Sequence, residues 1–104
     1  MILAIDRQAV LYFYESEAQA VGDLEAIDVE NNEYKFCDET GQSLIAEITK
    51  PVTRFRGGGF RLVPTGNTTP NLPICFVEKA KELGKTCLGV NSLDALKQLL
   101  RGSA

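Results

Sequence analysis

The stretch "EYKFCDETGQSLIAEIT" alternates apolar and polar side chains on both sides of "DETGQ". A period of two places every second residue on one face of a strand, so each arm reads as a half-buried strand. Tyr34 and Phe36 fall on one arm, with Leu44, Ala46 and Ile48 on the other, and Thr40-Gly41 supplies the turn. An antiparallel hairpin is therefore predicted. Its apolar face needs a covering layer, and this requirement constrains the rest of the chain more than any other feature does.

The covering elements are legible as shorter signals. "AVLYFY", Ala9 to Tyr14, carries the aromatic and branched residues of a buried strand. Ser16 and Gln19 have capping-box spacing, and Val21, Leu24 and Ile27 recur on one helical face, which predicts a helix from Ser16 to Ile27. After Lys50-Pro51 come a glycine segment, the apolar run "FRLV" and the breaker-rich "PTGNTTPN", read as a loop. Asn71 is the expected cap of a helix with Pro73 in its first turn and Leu72, Cys75, Phe76, Ala80 and Leu83 on its apolar face, ended by Gly84. "TCLGV" reads as a short buried strand, and Asn91-Ser92 opens a last helix carrying Leu93, Leu96, Leu99 and Leu100. Strand, helix and strand from Phe60 to Val90 suit a right-handed parallel crossover. The predicted class is α+β: a mixed, mostly antiparallel sheet covered by about three helices, in a single domain spanning residues 1–104.

Composition narrows the chemistry. The 104 residues include no histidine, so neither a Ser-His-Asp nor a Cys-His arrangement can be built. Cys37, Cys75 and Cys87 are odd in number and lack CxxC spacing, which argues against a disulfide framework and a zinc site and for buried free thiols. No catalytic residue, metal or cofactor is expected. "MILAI" is too short for a secretory apolar region and no apolar run reaches membrane-spanning length, so a cytoplasmic protein without a membrane partner is expected.

Charge is divided unevenly along the chain. Between Glu15 and Glu47 lie ten of the fourteen acidic residues and only Lys35 as a base, a net of −9, whereas the chain from Lys50 onward carries +6. Two readings compete: the halves neutralise each other within the fold, or Glu17, Asp23, Glu25, Asp28, Glu30, Glu33, Asp38 and Glu39 form a field that steers a basic partner. Nucleic acid is an unsuitable partner for so acidic a segment. A third reading pairs the acidic half of one copy with the basic half of the next.

The segment "RFRGGGFR" carries the opposite sign. With Gly58-Gly59 as a two-residue turn, parity places Arg54, Arg56 and Arg61 on one face and Phe55, Phe60 and Leu62 on the other. Opposed arginines repel, so Glu47, a partner carboxylate or a phosphate would relieve them, which makes the segment a candidate anion site. It lacks both GxGxxG and GxxxxGK[ST] spacing.

The run "LYFYESEAQAVGDLEAIDVENNEYKFCDETGQSL", a strand, an acidic helix and an acidic hairpin, resembles the front half of small bacterial immunity proteins, the antidotes of interbacterial toxins. The resemblance implies a non-catalytic cytoplasmic inhibitor that binds a basic toxin domain, such as a nuclease, through its carboxylates. The alternative is a small-molecule or phosphate-binding domain centred on Arg54, Arg56 and Arg61.

Overall fold

The structure, a computed structural model, describes residues 1–24, 29, 33–50, 58–87 and 89–102. Six strands, β1 (Ile2–Asp6), β2 (Val10–Tyr14), β3 (Tyr34–Asp38), β4 (Gln42–Lys50), β5 (Gly59–Thr68) and β6 (Glu82–Leu83), form one sheet in the order β5-β4-β3-β1-β2-β6. Every strand pair is antiparallel except β2 with β6. Three helices complete the described fold: α1 (Glu17–Asp23), α2 (Leu72–Lys79) and α3 (Leu93–Gly102). The α+β class read from the sequence is the observed one.

Both faces of the central strands are buried, which explains the continuous apolar run "ILA" in β1. Ile2, Ala4, Tyr14, Phe36, Leu44, Phe60 and Leu62 pack with Ala20 and Leu24 of the α1 side. Leu3, Leu11, Phe13 and Cys37 face the other way, onto Phe76 and Val77 of α2 and Leu96 and Leu100 of α3. Leu3, Leu11 and Phe13 are 0% exposed, and full burial of such a side chain contributes roughly 1.5–3 kcal/mol. The stretch "MILAI" at the start of the chain thus supplies a central strand of the sheet.

The hairpin of β3 and β4 forms as predicted, through a turn in which the Gly41 N–H donates to the Asp38 carbonyl. Gly41 sits at φ +90°, and a Cβ there would lie 1.9 Å from the Thr69 carbonyl oxygen, so no larger residue fits. Ser16 caps α1, its Oγ accepting from the Gln19 N–H at 3.3 Å, but the Gln19 amide oxygen accepts from Glu15 N–H, not from the cap itself. The helix ends at Asp23, with Leu24 already extended, four residues short of the predicted Ile27; residues 25–28 lie outside the described ones.

Three expectations are corrected. First, Gly59 belongs to a strand and not to a turn, and β5 pairs with β4: Phe60 opposes Ile48, Arg61 opposes Glu47 and Leu62 opposes Ala46, while residues 54–57 lie outside the described ones. The strand continues through "PTGNT" because Thr69 N–H bonds the Gly41 carbonyl and Thr65 Oγ1 bonds the Ser43 carbonyl, which tie this polar stretch to β4. Second, α2 stops at Lys79, and Asn71 makes no side-chain cap bond. Third, the late strand is not "TCLGV" but Glu82–Leu83, which runs parallel to β2, so β5 and β6 stand at opposite edges and no crossover joins them. Its Gly84 N–H reaches the Leu11 carbonyl at 2.7 Å. The first part of this edge hangs on Ala9, whose carbonyl accepts from Lys81 N–H at 2.8 Å while its backbone is held at φ +62°.

Candidate functional site

Strand register decides which carboxylates meet. Ile2 is opposed by Tyr14 on one side and Asp38 on the other. Glu15 to Glu17 and Asp38 to Glu39 therefore leave the sheet at the same end, whereas Glu33 precedes Tyr34, which opposes Asp6 at the far end. Glu15, Glu17 and Glu39 are exposed there. Glu15 was not among the residues singled out from sequence. The signal was available, because it directly follows the apolar strand run and so had to stand at a strand end.

The other predicted residues do individual structural work. Asp38 Oδ1 accepts from Thr40 N–H at 2.9 Å, Thr40 Oγ1 at 2.6 Å and Gln42 N–H at 3.0 Å, which makes it the organiser of the β3–β4 turn. Glu39 Oε2 lies 2.7 Å from the Met1 amino group. One oxygen of Glu17 accepts the Leu62 N–H at 3.0 Å. Asp23 takes the Lys85 Nζ at 2.7 Å and the Tyr14 hydroxyl at 2.5 Å. Lys85 first, and then the Tyr14 hydroxyl, hold its carboxyl below the usual aspartate range. Burial, followed by the bond to Asp23, pushes the Tyr14 phenol well above its ordinary value. Glu25, Asp28 and Glu30 lie outside the described residues. The acidic set is thus distributed: Asp23 is neutralised by a late lysine, Asp38 is tied into a turn, and Glu33 stands apart.

Of the candidate anion site, Arg54 and Arg56 also lie outside the described residues. Arg61 is exposed on the sheet face opposite Phe60 and Leu62, and its Nη2 meets Glu47 Oε1 at 2.5 Å. Glu47, one of the partners expected to relieve these arginines, meets Arg61 in an ion pair across β4 and β5; the predicted opposition of Arg61 to Arg56 lies outside the described residues. Both partners are at least half exposed, and such pairs contribute about 0–1 kcal/mol.

The thiols are free, as read from the sequence, though only Cys37 is fully buried and Cys75 and Cys87 are half-buried. Burial pushes Cys37 up to about 12, with Asp38 adding to it. Burial and then Glu15 push Cys87 up as well. A thiol so placed is a poor nucleophile near neutral pH. A cavity of about 360 Å³ lies beside the Asp23–Lys85 pair, lined also by Phe13, Gln19 and Thr86. A second, of about 470 Å³, lies between β3 and β4. Among the described residues no group of three or more potential metal ligands is gathered, and no helix is long and apolar enough to cross a membrane. Compared with known protein families, curated proteins and solved structures, the chain matches none.

Proposed function

We propose that this chain is a non-catalytic binding protein of the immunity type, acting in the cytoplasm to neutralise a basic toxin domain through the acidic end of its sheet. The observation that carries the reading is the convergence of exposed Glu15, Glu17 and Glu39 at one sheet end. Carboxylates held on strand ends and a capped helix are preorganised for a cationic surface, and their field raises the association rate. Elevated thiol pKa values support a binding role over a nucleophilic one. Of the anion-site alternative only Arg61 is among the described residues, where it meets Glu47, just as Glu39 of the acidic end meets the Met1 amino group; the acidic end keeps Glu15 and Glu17 exposed beside it.

The test is association with the product of the neighbouring gene, followed by surface plasmon resonance at low and high salt. The expected result is binding whose on-rate falls steeply with ionic strength and drops about tenfold in a Glu15→Lys/Glu39→Lys double variant. Absence of binding, or binding indifferent to both salt and charge reversal, overturns the reading.

A further inference from the structure

Gly22 stands inside α1, where neither backbone nor packing asks for glycine. It is not among the glycines of positive φ, so it serves no left-handed cap, and a Cβ built on it meets no atom within 4 Å. Glycine inside a helix costs roughly 0.5–1 kcal/mol relative to alanine. The chain therefore forgoes stability at a position where alanine fits. What a side chain here would enter is the cavity of about 360 Å³ beside the Asp23–Lys85 pair, which Gly22 lines.

Three elements build this cavity. Gln19, Gly22 and Asp23 share one face of α1, at the three- and four-residue spacing of helical neighbours. Across from them run Lys85, Thr86 and Cys87, held beside β2 because Phe13 donates its N–H to the Lys85 carbonyl at 3.0 Å. Tyr14, the last residue of β2, joins the two walls through its hydroxyl bond to Asp23. Gln19, Gly22, Asp23 and Lys85 are exposed, so the mouth reaches water. At about 360 Å³ the cavity falls at the small end of the range of roughly 300–1,000 Å³ typical of ligand sites, which suits one side chain.

The mouth already holds a cation. Lys85 rests its Nζ 2.7 Å from Asp23 Oδ1, yet its side chain stays 64% exposed. A pair so exposed contributes about 0–1 kcal/mol, so a better cation displaces it at little cost. Asp23 accepts one bond from Lys85 and one from Tyr14, which leaves about half of its acceptor positions for a further donor. A second carboxylate stands close by: the Cys87 thiol lining the cavity is pushed up by burial and then by the charge of Glu15.

We propose that this cavity receives an arginine side chain of the basic partner, and that Lys85 is the internal stand-in which the arginine displaces. The proposal rests on the inhibitor reading above and names the contact that holds the partner once the acidic end has drawn it in. A guanidinium offers two parallel N–H donors to the two Asp23 oxygens, where the Lys85 ammonium reaches one. The arginine stem lies where a side chain on Gly22 would stand, and Lys85 turns out into water.

Two measurements on the full chain test the proposal and separate its failure from that of the inhibitor reading. N-acetylarginine methylamide, with its leucine and aspartate analogues beside it, is titrated against the isotope-labelled free protein by NMR. The arginine compound is expected to shift the amides of Gly22, Asp23 and Thr86 and to bind about tenfold more tightly than either analogue. Gly22→Leu, which fills the cavity and gains helix propensity, is expected to weaken it about tenfold, and Lys85→Met, which removes the competitor, to tighten it about threefold. Should Gly22→Leu fail to fold, Gly22→Ala is expected to weaken it about threefold. In surface plasmon resonance with the product of the neighbouring gene, Gly22→Leu is expected to raise the off-rate about tenfold and leave the on-rate within about twofold. Absence of shifts at these amides, equal binding of the leucine or aspartate analogue, unchanged affinity or off-rate in a folded Gly22 variant, or looser binding by Lys85→Met would each overturn the proposal. A neighbouring gene product that fails to bind, with the arginine compound bound as expected, overturns the inhibitor reading and leaves the guanidinium site standing.

Discussion

Glu17 and Leu62, forty-five positions apart, are joined by a 3.0 Å hydrogen bond from the backbone N–H of an edge strand to a carboxylate at the start of a helix. The bond fixes α1 to β5 and covers a donor that would otherwise invite another strand. Glu17→Ala is expected to lower stability by about 1 kcal/mol, read from the urea midpoint, with Glu17→Gln losing less because its amide oxygen still accepts.

Asp23 supplies a pH dependence whose sign follows from its partners. Lys85 and Tyr14 stabilise the charged carboxylate, so its folded pKa lies below the unfolded one. Stability from this group is fully present above the unfolded pKa, about 3.9, and is lost as pH falls through the folded value. Thermal melts of Asp23→Asn between pH 2 and 5 are expected to show a flatter acid limb than the parent protein.

Gly41 has no tolerated replacement. Both its φ of +90° and the 1.9 Å approach of a built Cβ to the Thr69 carbonyl predict that Gly41→Ala is destabilised by more than about 2 kcal/mol, measured by chemical unfolding. Ala9 is the converse case: a non-glycine residue at φ +62°, where Ala9→Gly is expected to be neutral or stabilising by up to about 1 kcal/mol.

Burial of the thiols sets an order of modification. At pH 8, with iodoacetamide, the half-buried Cys75 is expected to alkylate in the folded protein and Cys87, pushed up by burial and Glu15, only slowly, while Cys37, pushed up to about 12, reacts only after unfolding. Peptide mapping of a time course reads this directly.

Local patterns announced themselves in the sequence where local physics decides. The alternation around Asp38–Gly41 produced the hairpin, and Ser16 and Ser92 cap their helices, Ser92 Oγ accepting from Ala95 N–H at 3.0 Å. Long-range pairing escaped because no neighbour in sequence encodes it. Polar "PTGNT" reads as loop until Ser43 and Gly41 are seen opposite it, and Glu82–Leu83 joins the sheet only because Ala9 and Leu11 offer their carbonyls. For the site, the acidic excess was visible as a sum over residues 15–47. Its division was not, because Lys85 reaches Asp23 from sixty-two positions away.

The two-rung ladder of Phe36–Leu44 and Cys37–Ser43 is a narrow joint between two unequal pieces of sheet. On one side stand β3, β1, β2 and β6; on the other stands the β4–β5 ribbon, whose Phe60 and Leu62 pack into the shared core. The bond from the Leu62 N–H to Glu17 is a second attachment of that ribbon, so a helix-borne carboxylate bridges the two pieces where few sheet bonds do.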